Sequence, residues 1–315
     1  MSSSEMTAST LSIVVPVFNE EGNAAPLVAG ITAAVRPLDI PFELVVVDDG
    51  SSDRTSDVLR GLVAQTPELV VVRLRRNFGQ ASALQAGFDR ARGDIIVTLD
   101  GDLQNDPRDI PRLLERIEAG ADVVSGWRVN RQDATVLRKI PSWFANRLIR
   151  WVTGVPIHDQ GCSLKAYRRE VVERLDLYSD LHRFITILTM PQGAAIEEIE
   201  VRHHPRLTGE SKYGLSRVLK VLVDLTAVQM LTRFRDSPTR WFGLLGVPFL
   251  LGSIATGVAS LGTADQFVVL PTVSLLLALV FVSCLFAALL GEAIIDTLGR
   301  AERNRVVVRE WKGRQ

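Results

Sequence analysis

The stretch Asp94–Pro107, "DIIVTLDGDLQNDP", runs from an apolar β-branched segment into two acids placed one residue apart. A short continuous apolar run bounded by turn residues reads as a strand buried on both faces. The run ends at Asp100, and Gly101 separates that acid from Asp102. In extended backbone, side chains at i and i+2 share one side. Asp100 and Asp102 therefore converge, and Gln104 continues the same side if the chain stays extended. Like charges so placed repel unless a cation lies between them. Hard oxygen ligands suit Mg²⁺ or Mn²⁺, and Mg²⁺ usually leaves positions for substrate phosphates. An isolated D-x-D is weak evidence, because acidic loop pairs also occur as solvated turns. Here it follows a strand directly, which strengthens the metal–diphosphate reading.

The neighbouring sequence repeats the pattern. "LSIVVPVF" (11–18), "FELVVVDD" (42–49), "LVVVRLR" (69–75) and "ADVVSGWR" (121–128) are further strand signals. The segments between them, 19–35, 51–65, 79–92 and 107–120, carry helical patterns. Strands alternating with helices predict an α/β fold with a mostly parallel sheet covered on both faces. Ligands of such sheets bind beyond the carboxyl ends of the strands. Asp48-Asp49 and Asp100/Asp102 both fall there. "DGSSD" (49–53) is also good turn and helix-cap chemistry, so Asp48 is free to face the crevice while Ser51, Ser52 or Asp53 caps a helix.

Composition narrows the function classes. The 315-residue chain balances 36 basic against 36 acidic residues, which gives no electrostatic signature of nucleic-acid binding. Cys162 and Cys284 lie far apart, and the second sits in an apolar run, so neither a disulfide framework nor a zinc site is expected. No G-x-x-x-x-G-K-[ST] occurs, and no G-x-G-x-x-G follows the first strand. His203-His204 point apart on an extended chain, which favours a structural role over metal ligation.

Trp241–Ser260 and Phe267–Gly291 contain no charged residue. Each is long enough to cross a hydrocarbon core of about 30 Å as a helix. Arg233, Arg235 and Arg240 precede the first span, and Arg300, Arg303, Arg305, Arg309, Lys312 and Arg314 follow the second. The positive-inside rule therefore puts both ends in the cytoplasm of a membrane-embedded chain. Two uncharged spans offer no polar midplane site, which argues against a transporter. Ser253 and Gly257 form a small-xxx-small pair suited to helix packing, and a homo-oligomer through the spans is open. Residues 138–152 and 211–235 mix basic and apolar residues at helical spacing and read as helices on the core or in the membrane interface. The expected organisation is a lead at 1–9, a catalytic domain at 10–210, interfacial helices at 211–238, two spans at 239–292 and a basic tail at 293–315.

Together "PVFNEE", "VVVDDGSSD", "RNFGQASALQAG" and "TLDGDLQNDP" resemble the GT-A glycosyltransferases of family 2. "RVNRQD", "RKIPS", "HDQGCSLKAYRRE" and "GESKYG", followed by two spans, narrow the resemblance to polyprenyl-phosphate glycosyltransferases, the group of dolichyl-phosphate mannose synthase and the aminoarabinose transferase of lipid A modification. The resemblance implies roles residue by residue. Pro16, Phe18 and Glu20 match the part that holds the nucleoside, with Asp48 contacting the base. Asp100, Asp102 and Gln104 match the ligands of Mg²⁺ or Mn²⁺ and the donor diphosphate. Arg128, Arg138 and Ser142 match residues near an acceptor phosphate. Arg206 and Lys212 match a basic pair closing over the diphosphate, and Asp159 an acid near the reacting centre, either a base or the orienter of a neighbouring cation. The implied activity is inverting transfer of one sugar from a nucleotide-sugar, a UDP-sugar being favoured, to polyprenyl phosphate at the cytoplasmic face. A GDP-mannose-dependent mannose synthase and a non-catalytic membrane scaffold are the alternatives. Ser237 and "TRW" stand where processive relatives carry Q-x-x-R-W, so polymer synthesis is not expected.

Overall fold

The computed structural model describes residues 9–129, 157–173, 175, 177, 181–190, 193–205, 238–262 and 268–302, with 295–302 as backbone alone. Arg138, Ser142, Arg206 and Lys212, and the amphipathic segments 138–152 and 211–235, lie outside these residues. The chain divides into two compact units, Met1–Val228 and Gln229–Gln315.

The first unit is built on a seven-stranded sheet: β1 (Leu11–Val17), β2 (Phe42–Asp48), β3 (Leu69–Arg73), β4 (Ile95–Thr98), β5 (Val123–Trp127), β6 (Lys165–Arg168) and β7 (Ile196–Glu200). The strand order is β3-β2-β1-β4-β6-β5-β7. The first four strands are parallel, as their alternation with helices predicts. β6 runs antiparallel between β4 and β5, and β7 is parallel to β5. The expected fifth strand therefore forms but does not lie beside the fourth.

Helices α1 (Ala24–Val35), α2 (Thr55–Val63), α3 (Gln80–Arg90) and α4 (Ile110–Glu118) cover the sheet. Leu27, Ile31, Leu59, Leu113 and Ile117 pack on the face that carries Ile13, Val15, Leu44 and Val46. Leu84 and Phe88 of α3 pack on the opposite face with Val14, Val45, Val47 and Ile96. Burial on both faces is why these strands are uniformly apolar rather than alternating. Each fully buried Val, Ile or Leu contributes about 1.5–3 kcal/mol.

This topology positions the site. β2 and β3 lie on one side of β1 and β4 on the other. Successive connections therefore part company at β1/β4, and a crevice opens at the carboxyl ends of these strands.

The second unit contains α5 (Pro238–Ser260) and α6 (Val269–Glu302). Both are long and apolar enough to cross a membrane. Their outward side chains, among them Leu244, Leu251, Leu275 and Leu289, are exposed. Apolar surface on that scale requires lipid rather than water, so the chain is a membrane protein. Within the pair, the Ser253 hydroxyl donates to the Ser274 carbonyl at 2.9 Å and Ser274 returns a hydrogen bond to the Ser253 carbonyl at 2.8 Å. A Cβ on Gly257 would lie 3.1 Å from Ser274 Oγ, so the small-xxx-small pair does face a neighbouring helix, α6.

Candidate active site

Three loops of the first unit meet at one edge of the sheet. The loop after β1 carries Phe18 and Glu20, that after β2 carries Asp49, and that after β4 carries Asp100 to Gln104. The antiparallel course of β6 brings the residues preceding it, including Asp159, to the same edge, because Lys165 pairs with Thr98 at the end of β4. Arg128 arrives from the end of β5, whose Ser125 also pairs with Lys165.

The acids after β2 are largely committed to structure. Asp48 is fully buried; its carboxylate accepts from Ser51 N at 2.9 Å and from the Ser56 hydroxyl, with Arg73 Nε at 3.7 Å. Asp49 accepts from Phe78 N at 2.8 Å and Gly79 N at 2.9 Å, which ties down the entry to α3. Gly50, directly after them, has φ +68°, and a Cβ there would lie 2.3 Å from the Arg76 backbone. The N-cap position of α2 is Arg54 rather than Ser51, Ser52 or Asp53, and it makes no side-chain cap; Asp53, one residue earlier, accepts from Thr55 N at 3.0 Å. Phe18 and Phe78, 42% and 51% exposed, are the open aromatic surfaces of these loops, and the Arg76 guanidinium lies 4.4 Å from the Phe78 ring centre. Pro16, the penultimate residue of β1, is the Cα partner of Val47 on β2. Glu20 accepts from Asn23 Nδ2, and its own N–H donates to Thr55 Oγ1 at 2.8 Å.

The D-x-D acids converge, though by a different backbone route than extended chain. Residues 101–103 form a turn, and Leu103 takes φ +61°. Gly101 is required by space: a Cβ would sit 2.6 Å from Val17 Cγ1 and 3.2 Å from the Pro16 carbonyl. Asp102 Oδ1 accepts from Gln104 N at 3.2 Å, and Asp100 Oδ1 from Gln80 Nε2 at 2.8 Å. Burial and then the neighbouring Asp102 charge raise the Asp100 pKa, while Ser163, Arg128 and Gln80 pull the other way. The two acids thus share one electrostatic environment. Among the described residues no group of three or more His, Cys, Asp or Glu side chains forms a metal site. Two carboxylates fit a hard divalent ion whose other ligands are phosphate oxygens and water.

The turn is anchored from behind by residues that a motif reading passes over. Asn105 Oδ1 accepts from Asp100 N at 3.2 Å and from the Ser163 hydroxyl at 2.8 Å. Asp106 accepts from Arg108 N at 3.0 Å and from its guanidinium at 2.6 Å, and pairs with His204 Nε2 at 3.1 Å. Burial works against the Asp106 charge, but the Arg108 and His204 contacts outweigh it and hold its pKa well below the carboxylate range. Asp109 accepts from Arg202 N at 2.6 Å. His203 forms a β-bridge with Asn105. The histidine pair is therefore part of this scaffold, as its spacing predicts. The signal for Asp106 was present in "NDP", an acid before proline at a helix start.

Asp159 and Arg128 form the second charged feature. Asp159 Oδ2 accepts from Arg128 Nε at 2.7 Å, and Oδ1 from Nη2 at 3.0 Å. Burial opposes the Arg128 charge, yet the Asp159 hydrogen bonds and charge overcome it and raise the guanidinium pKa. Asp100 also acts on Arg128, which places this pair beside the D-x-D turn. Cys162 lies next to them; burial pushes its thiol up to about 11. Cys162 and Cys284 are both free and buried.

Comparison with known proteins agrees with this geometry. The family model described as Glycosyl transferase family 2 matches residues 12–176. A dodecaprenyl-phosphate galacturonate synthase of Rhizobium johnstonii is 45% identical over 262 residues, covering 82% of this chain and 77% of that protein. An undecaprenyl-phosphate 4-deoxy-4-formamido-L-arabinose transferase of Pseudomonas paraeruginosa is 42% identical over 237 residues, covering 75% of this chain and 68% of that protein. Among solved structures, mannosyl-3-phosphoglycerate synthase from Rubrobacter xylanophilus superposes with a TM-score of 0.56 at 17% identity, over 72% of this chain and 75% of that one, a likeness of fold alone. With its mostly parallel sheet, its paired acids at the strand ends and these relatives, the chain belongs to glycosyl transferase family 2.

Proposed function

We propose that this membrane protein transfers one sugar from a nucleotide-sugar to a polyprenyl phosphate, with inversion at the anomeric carbon. One observation carries the acceptor. Two relatives, each more than 40% identical over at least three quarters of this chain, are named for different sugars but for the same class of lipid phosphate. The geometry supports the division of labour. Asp100 and Asp102 would hold a divalent cation, Mg²⁺ or Mn²⁺, with Gln104 beside them as a further oxygen donor. When bound, that ion neutralises charge developing on the departing diphosphate. Phe18 and Phe78 offer faces for the nucleoside, and Pro16, Glu20 and Asp48 shape its loops. A UDP-sugar is the favoured donor, with GDP-mannose the alternative to be tested.

Arg128 is set to receive the acceptor phosphate. An oxygen of that phosphate attacks the anomeric carbon, the bond from that carbon to the diphosphate breaks, and the electron pair leaves with the diphosphate. A phosphate monoester is already anionic at pH 7, so no base is needed. Both Asp159 oxygens accept from Arg128. We therefore assign Asp159 the role of orienting Arg128 rather than removing a proton. Arg138, Ser142, Arg206 and Lys212 complete the proposed phosphate contacts. The transfer takes place at the cytoplasmic face, given the basic flanks of both spans.

Purified protein incubated with Mg²⁺ or Mn²⁺, a panel of labelled nucleotide-sugars and a short polyprenyl phosphate should yield one glycolipid product. Asp102→Ala should lower the rate by about 100-fold or more. Absence of product from every donor, or full activity in that variant, overturns the reading.

A further inference from the structure

Asp159 and Arg128 are the charged pair on which the proposed transfer depends, yet neither lies on a regular element. Asp159 sits in the segment entering β6, and Arg128 just beyond β5. Their seat is a row of three residues across the sheet. Ser125 of β5 is the Cα partner of Lys165 on β6 and of Glu198 on β7. Residues paired in this way project to the same face of a sheet, with the outer two about 10 Å apart. Both outer residues reach the Asp159 segment. Glu198 Oε1 accepts from His158 N at 2.9 Å and from Asp159 N at 3.0 Å. Its Oε2 meets His158 Nδ1 at 2.8 Å, and the His158 ring stacks on Trp127 at 4.5 Å between centres. From the other side Lys165 Nζ donates to the Gln160 carbonyl at 3.2 Å. Lys165 is 2% exposed, a state rare for lysine unless a specific partner holds it.

We propose that Glu198, with Lys165 opposite it, is the positioning residue of the Asp159–Arg128 pair. Glu198 accepts hydrogen bonds from the amides of residues 158 and 159 while Lys165 donates one to the carbonyl of residue 160. The backbone around Asp159 is thus gripped from two strands, and its carboxylate is aimed at Arg128. Neither residue touches the reacting atoms. This inference rests on the transfer reading for its kinetic consequence, but not for its structural one.

The test uses the full-length protein in detergent. In Glu198→Ala, hydrogen exchange at the amides of His158 and Asp159 should accelerate. The kcat should fall by about 10- to 100-fold, the loss expected from displacing a reacting group by about 1 Å, while KM for the nucleotide-sugar stays unchanged. Glu198→Gln keeps one oxygen for both amides and should restore protection and most of the rate. In an Asp159→Asn background, Glu198→Ala should cost little more, because both changes act through one pair. Unchanged exchange in Glu198→Ala, a Gln variant as impaired as the Ala variant, or additive losses would each overturn the proposal. Were the parent protein to make no product from any donor, the transfer reading would fall, and hydrogen exchange would still decide whether Glu198 seats the segment.

Discussion

At the scale of single residues, the site depends on the side chain that is missing between its two acids. Gly101 lets the turn after β4 lie against Val17 and the Pro16 carbonyl, where a Cβ would have 2.6 Å and 3.2 Å. A methyl group there cannot be absorbed by a flexible neighbour, since Val17 is buried in the core cluster. Gly101→Ala should therefore shift Asp100 and Asp102 relative to one another, reducing transfer by about 10- to 100-fold while the protein still folds. Measured rates alongside circular dichroism would separate the two effects. The acids themselves were legible as candidates because the D-x-D pair directly follows an apolar strand, at the end where ligands of such sheets bind. The Glu198 contacts were not readable. "IEEIE" (196–200) is an acidic segment with no apolar alternation, and nothing in it distinguishes an acid that faces solvent from one that takes two backbone amides.

At the scale of elements, the D-x-D turn is only as rigid as the loop behind it. Asp106 caps the short turn Pro107–Asp109 that leads into α4, through Arg108 N, and ties it to His204. Its partners Arg108 and His204 are themselves about half exposed or more, so water replaces part of what is lost on substitution. Asp106→Ala should destabilise the first unit by about 1–2 kcal/mol. The pH dependence has a definite sign. The folded-state pKa of Asp106 lies below its unfolded value near 3.9. Its contribution is thus fully present above the unfolded value and is lost as pH falls toward the folded one. The stability gap between parent and variant should be constant from about pH 7 to 5 and close below about pH 4, as read from unfolding transitions in detergent. In the helix pair, Ser253 and Ser274 exchange hydrogen bonds in both directions. Ser253→Ala removes one of these and leaves the Ser253 carbonyl available to Ser274. The expected loss is about 0.5–1 kcal/mol of helix–helix association, measurable by steric trapping or reversible unfolding in bicelles.

At the scale of the whole molecule, a soluble-type α/β unit and a pair of apolar helices share one chain, which suits a water-borne donor and a membrane-borne acceptor. Ligand linkage gives the simplest global test. UDP with Mn²⁺ should raise the unfolding temperature of the purified protein, by the mass-action stabilisation of about 2.7 kcal/mol at 100 times Kd, and UDP with a chelator should not. Asp102→Ala should abolish the shift. An equal shift with and without metal would remove the cation from the proposed mechanism. By itself the amino-acid sequence determined the strand–helix alternation from β1 to β5, the two spans and the paired acids, since each is a local signal of period, length or spacing. Only the tertiary structure decided that β6 inserts antiparallel between β4 and β5, because "KAYR" hides a buried strand behind polar residues. That insertion brings Asp159 beside Arg128, on which Asp100 also acts, and lets Glu198 and Lys165 grip the segment around Asp159. Such contacts join residues distant in sequence, and their formation is set by strand order, which no local pattern encodes.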